Sequence, residues 1–184
     1  MPSLVSAKPG KSKIDKKSLV KPTFKRHVSV GYNYRLSEVC SAVLMAQLER
    51  LDEFVNWRKT SAKAFDEIVR SNCSWLHPQL IPVGCEHSYW AYTVVMDESL
   101  DLNFWEQFYE KFVEFGGEGF YGAWSLTYLE PIFQNGIVGH YTAGFCPNAE
   151  FVQPRIMQFK TNYGDKDTIN EQCAALEKTI KYFN

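Results

Sequence analysis

Hydrogen-bond donors and aromatic rings crowd into one short stretch, Gly31-Tyr32-Asn33-Tyr34-Arg35-Leu36-Ser37-Glu38, directly ahead of a run that reads as a helix. The first N–H groups of a helix are unpaired, and its dipole favours negative charge there. An amide (Asn33) and a guanidinium (Arg35) at such a place are candidate ligands for a phosphate or another anion. The alternative is a plain capping loop, with Ser37 as N-cap, Glu38 in the first turn and both tyrosines merely packing. A second group lies downstream at His87, Tyr89, Trp90 and Tyr92. His87 is a candidate for proton transfer or ligand contact, with a packing or hydrogen-bonding role as the alternative. Tyr89, Trp90 and Tyr92 alternate on a predicted strand, so one face is core and the other lines a pocket. Trp124 and Tyr128 fall in a long aperiodic stretch, where a ring either stacks on a ligand or anchors the loop. His27, His77 and His140 show no partner pattern.

Composition narrows the class. A chain of 184 residues with 15% aromatics supports one domain with a packed core. The net charge of −1 hides an asymmetry: residues 1–26 carry +7 and the remainder −8. A body of that sign is not a nucleic-acid platform, and the basic segment lacks interleaved aromatics. Five cysteines are widely spaced with no C-x-x-C pair, so neither a zinc site nor a disulfide framework is indicated. Reduced thiols, no membrane-length apolar run and no signal-peptide pattern together predict a cytoplasmic protein.

The elements that must position these residues follow from periodicity. Residues 1–26 read as a flexible basic arm. From Ser37 to about Arg70 an apolar seam (Leu44, Leu48, Leu51, Val55, Ala62, Phe65, Val69) predicts a long helix with a break near Leu51-Asp52. Residues 72–84 read as loop around Pro78 and Pro82, and Tyr89 to Met96 as a buried strand. Phe104 to Phe115 predicts a helix stopped by Gly116-Gly117, followed by a short strand at 119–121. Residues 123–145 read as loop, 149–156 as a helix disturbed by Pro154, and 156–163 as extended. Thr168 with Glu171 forms a capping box for a last helix through Ala174, Leu176, Ile180 and Phe183. The fold class is α+β, a small sheet with helices on one side.

Several of these stretches, in this order, resemble the C-terminal portion of the DegT/DnrJ/EryC1/StrS aminotransferases. They are Gly31 to Glu38, Ala46-Gln47-Leu48-Glu49-Arg50-Leu51-Asp52-Glu53-Phe54, His87-Ser88-Tyr89-Trp90 with Tyr92, Gly119-Phe120-Tyr121-Gly122-Ala123-Trp124, Tyr128-Leu129-Glu130-Pro131, Cys146-Pro147-Asn148-Ala149-Glu150 and Gln158-Phe159-Lys160-Thr161-Asn162. The likeness runs from about Arg26 to the end, and the Tyr-Gly-Ala-Trp and Phe-Lys-Thr-Asn variants are closest to the perosamine-synthetase branch. It implies the small domain of a fold-type I enzyme over residues 27–184, without the large domain that carries the cofactor lysine. It also implies pyridoxal phosphate as cofactor, a nucleotide-linked keto-sugar as substrate, and a homodimer or a partner chain bearing the large domain.

By the same resemblance, Asn33 with Arg35 reaches the cofactor phosphate of a neighbouring subunit, while Tyr32, His87, Tyr89 and Trp124 contact substrate. No lysine here has the family's Schiff-base context. Lys160 is misplaced for it, and Lys8 to Lys25 lie in the polar arm, where nothing desolvates an amine. One departure is that many family members carry a histidine where this chain reads Trp124-Ser125-Leu126-Thr127. The expectation is therefore a chain not catalytic alone, with a non-catalytic protein that pairs with a full-length aminotransferase as the rival.

Overall fold

The computed structural model describes residues 3–6, 27–31, 36–129 and 141–184. The chain divides into two compact units, Met1–Glu49 and Arg50–Asn184. In the first unit, β1 (Ser3–Ser6) pairs antiparallel with β2 (His27–Gly31), Leu4 opposite Val30. Part of the segment expected to be a flexible arm is thus a strand, and residues 7–26 lie outside the described residues. Helix α1 (Glu38–Leu48) is capped by Ser37, whose Oγ accepts the Cys40 N–H at 3.2 Å, as its position forecast.

The long helix does break, between α1 and α2 (Leu51–Asn72). Arg50 leaves helical geometry (φ −108°, ψ 11°), and its Nε binds Glu53 at 2.7 Å. Its guanidinium lies 4.7 Å from the Phe54 ring centroid, so ionic and cation–π contacts fix the new start without a proline. The predicted seam divides in two. Ala62, Phe65 and Val69 are buried, whereas Leu44, Leu48 and Leu51 are exposed. Period alone gives an apolar face and cannot say what covers it.

The second unit is built on an antiparallel sheet in the order β3 (Leu76–Pro78), β4 (Ala91–Met96), β5 (Ile156–Lys160). Strand β3 falls where prolines predicted only loop. Pro78 sits at the strand's end on the sheet edge, where its missing N–H is tolerated. Tyr92, Val94 and Met96 of β4 and Met157 and Phe159 of β5 are all buried, while Thr93, Gln158 and Lys160 between them are not. That alternation turns one sheet face inward. Helices α2, α3 (Phe104–Glu114) and α5 (Lys166–Phe183) supply its cover, as expected of an α+β fold with helices on one side.

Other boundaries moved for local reasons. Strand β5 stops at Lys160 rather than Tyr163, and the expected 119–121 strand is a single bridge from Tyr121 to Gln158. The glycine stop after α3 holds. Gly116 has φ +97°, and the Gly117 N–H reaches the Phe112 carbonyl at 2.8 Å. Helix α4 (Pro147–Val152) starts with proline in its first turn and passes at Gln153–Arg155 into a 3₁₀ turn that contains Pro154. The cap of α5 is Asp165, not Thr168: Asp165 Oδ1 accepts the Thr168 N–H at 2.7 Å. Ala174 is exposed, and Ala175 is the buried member of that pair.

Phe159 joins the core across elements, with ring centroids 5.8 Å from Phe65, 5.4 Å from Phe112 and 4.8 Å from Phe120. Replacing it by alanine leaves a cavity with no obvious way to close, so Phe159→Ala is expected to cost about 3–5 kcal/mol. Chemical denaturation of the two forms measures this.

Candidate functional site

The site begins where β4 begins. Tyr89 sits in the left-handed backbone region at φ 51°, a conformation costing a non-glycine residue about 1–2 kcal/mol. Both of its peptide groups are held by side chains. The Tyr89 N–H donates to His87 Nδ1 at 2.9 Å, and the Thr161 hydroxyl donates to the Tyr89 carbonyl at 2.6 Å. Arg58 of α2 completes the clamp, with Nη1 donating to the Trp90 carbonyl at 2.9 Å and reaching Thr161 Oγ at 3.5 Å. The strand therefore starts at Ala91 rather than Tyr89, and Trp90 is turned outward, 70% exposed.

Trp90 and Tyr121 together line two adjoining cavities. The first, about 390 Å³, adds Arg58, Glu118, Lys160 and Asn162. The second, about 500 Å³, adds Trp124, Ala123 and Gln158 and is walled mainly by apolar atoms. Lys160, at the end of β5, reaches the Glu118 carbonyl at 3.4 Å and its carboxylate at 3.5 Å. Trp124 is 90% exposed, yet its backbone is fixed. Gln153 Nε2 donates to the carbonyls of Ala123 (3.0 Å) and Trp124 (3.2 Å), and Gln158 Nε2 to that of Gly122. Exposed indoles on a pinned backbone beside two cations make a surface for a ligand that is planar at one end and anionic at the other.

The loop expected over 123–145 is closed by Glu150, which accounts for the Cys146-Pro147-Asn148-Ala149-Glu150 motif. Its carboxylate accepts the Gly144 N–H at 2.8 Å, the Cys146 N–H at 3.3 Å and the Tyr128 hydroxyl. The Tyr128 bond and the Gly144 amide hold the Glu150 carboxyl below its ordinary value, while desolvation and that carboxylate push the Tyr128 phenol up to about 12. Tyr128 thus anchors the loop, one of its two expected roles.

Of the residues singled out in the sequence, Trp124 lines a cavity, whereas His87 and Tyr89 line neither and instead hold the turn that presents Trp90. Tyr92 points into the core, its hydroxyl on Asp66 Oδ1 at 3.1 Å, and burial with that carboxylate raises its phenol far above the usual range. Tyr32, Asn33 and Arg35 lie outside the described residues. Arg58, Glu118, Lys160 and Gln153 were missed. Lys160 lies within the Gln158-Phe159-Lys160-Thr161-Asn162 motif, which by itself does not show that its side chain lines a cavity. Cys40, Cys73, Cys85, Cys146 and Cys173 are free thiols. Among the described residues no helix is long and apolar enough to cross a membrane, and no three His, Cys, Asp or Glu side chains are grouped so that they could hold a metal ion.

This fold and these motifs define a class. The DegT/DnrJ/EryC1/StrS aminotransferase family profile matches residues 9–168, and the chain belongs to that family. Among curated relatives it is 34% identical over 79 residues to the GDP-perosamine synthase of Vibrio cholerae, covering 42% of this chain and 20% of that protein. It is 30% identical over 69 residues to that of Escherichia coli O157:H7, covering 38% and 18%. The matched segment is thus about a fifth of those relatives' length. Among solved structures it resembles Helicobacter pylori PseC (TM-score 0.65, 20% identity, 89% of this chain and 43% of that one) and S. venezuelae DesV (0.68, 15%, 88% and 41%), which establishes the fold. Membership of the family implies pyridoxal phosphate as the cofactor.

Two outcomes follow. Thr161 is fully buried, so Thr161→Val leaves the Tyr89 carbonyl without its donor and is expected to cost about 1–3 kcal/mol. Adding Tyr89→Gly should recover part of that in urea denaturation, because glycine adopts positive φ freely. Glu150 is stabilised in its charged form, so its hold on the loop is present above its unfolded value of 4.5 and is lost as pH falls through the lower folded value. Protection of the Gly144 and Cys146 amides, measured against their intrinsic exchange rates at each pH, is expected to fall on acidification, and Glu150→Gln to lower it at neutral pH.

Proposed function

We propose that this chain is the small-domain portion of a sugar-nucleotide aminotransferase, of the kind that moves an amino group from glutamate to the keto carbon of a nucleotide-linked 4-keto-6-deoxy sugar. The observation that carries the reading is the family match combined with identity to GDP-perosamine synthases over the best-matched segment. The paired cavities beside Trp90 and Trp124 support a substrate-contact role. Bound pyridoxal phosphate supplies the electron sink that lets nitrogen pass between donor and acceptor.

The described lysines do not fit the residue that carries this cofactor. Lys59, Lys63, Lys111, Lys160 and Lys181 all sit in ion pairs and Lys166 and Lys178 are exposed to water, and neither setting gives the desolvated amine such chemistry starts from. We therefore assign this chain no catalytic residue. Its cofactor contact is proposed for Asn33, aided by Arg35, against the cofactor phosphate across a dimer. The partner is a second copy or a cytoplasmic chain that carries the large domain.

Helix α1 favours this over an independent interaction protein. Apolar residues occupy all sides of it, and Leu36, Val39, Val43, Leu44, Met45 and Leu48 are exposed. A helix of that composition belongs inside a larger body. Incubation with pyridoxal phosphate followed by borohydride reduction is expected to label no lysine of this chain. With a large-domain chain added, cofactor absorbance and amino-sugar product should both appear. Asn33→Ala should then weaken cofactor retention about 10-fold or more, the worth of one bond to a charged group. A stably labelled lysine in the isolated chain, with keto-sugar amination, would overturn the reading.

A further inference from the structure

Arg58 is half-buried and has no carboxylate partner among the described residues. Only its Nη1 is engaged, on the Trp90 carbonyl and Thr161, so Nε and Nη2 keep their donor capacity. Lys160 lines the same cavity and is only loosely satisfied, since both contacts to Glu118 exceed 3.3 Å. Two cations thus face one carboxylate between the rings of Trp90 and Tyr121. A guanidinium fork beside an ammonium is the usual complement of a phosphoryl or carboxylate group. Through Trp90 and Tyr121 the cavity opens onto the ring-lined space beside Trp124, with room for a planar base or sugar joined to that anion.

We propose that Arg58 and Lys160 form an anion subsite for the diphosphate of the nucleotide-linked substrate, with Glu118 as a resident counter-ion that the bound anion displaces. This assignment rests on the sugar-nucleotide reading above. The same chemistry would take a carboxylate of the amino donor, so the test separates the two sources.

Pyrophosphate, guanosine diphosphate and glutamate are titrated into the full chain while the Trp90 indole and Asn162 amide resonances are followed. The expected result is that both phosphates move these resonances and that Lys160→Gln weakens binding about tenfold or more. Glu118→Gln should instead tighten it about two- to fivefold, because a competing charge is removed while an acceptor for Tyr163 is kept. Opposite signs at neighbouring residues cannot come from a general loss of fold. Response to glutamate alone, with the same opposed effects, would keep the anion subsite, overturn the diphosphate assignment and leave the sugar-nucleotide reading standing. Guanosine diphosphate bound elsewhere, indifferent to both substitutions, would overturn the subsite and spare that reading. No response to any of the three anions would overturn the subsite outright.

Discussion

A single hydroxyl, that of Thr161, holds together the part of the molecule that faces a ligand. It donates to the carbonyl of Tyr89 and lies within reach of the Arg58 guanidinium, so α2, the start of β4 and the segment after β5 meet at one buried atom. The constraint it enforces is a tyrosine in the left-handed region, a conformation that persists only where the surroundings over-determine it. The His87 ring supplies the second restraint, on the N–H side. With that turn fixed, Trp90 faces outward while Tyr92, two residues on, is driven into the core against Phe65 and Phe159.

This arrangement separates rigidity from display. The interior is a chain of aromatic contacts running from Phe65 through Phe159 and Phe120 to Phe112 and Phe108. Large rings bury much area with few rotatable bonds and give a stiff base. On that base the exposed indoles are held through their backbones, Trp90 by Arg58 and Trp124 by Gln153, so the rings themselves remain available. Side-chain amides and hydroxyls thus do at the rim what ladder bonds do within the sheet. Glu150 does the same for the loop ahead of α4.

Much of the second unit was legible in the sequence. The 104–115 periodicity with its double glycine gave α3, and the β-branched and aromatic run gave β4. The helix break was foreseen, although its cause, Arg50 over Phe54, was not. Local rules failed where long-range contacts decided. Strand β3 exists because its neighbour pairs with it despite the prolines, and Asp165 took the cap because it precedes Thr168 in the path of the turn. The cavity lining was only partly legible: Trp124 stood out as an aromatic in a loop, but Arg58, one of four cations in a long amphipathic helix, gave no signal until the fold set its Nη1 2.9 Å from the Trp90 carbonyl, 32 residues away.

By itself the sequence determined the class, because motif order, apolar periodicity and glycine stops are written in the chain and need no third dimension. Only the tertiary structure decided which conspicuous side chains serve the surface and which serve the core. His87 and Tyr89 became supports and Lys160 became a cavity wall, because position in space depends on which carbonyls, rings and carboxylates arrive from distant segments. Spacing along a strand cannot carry that information when one residue turns left-handed and shifts the strand's start.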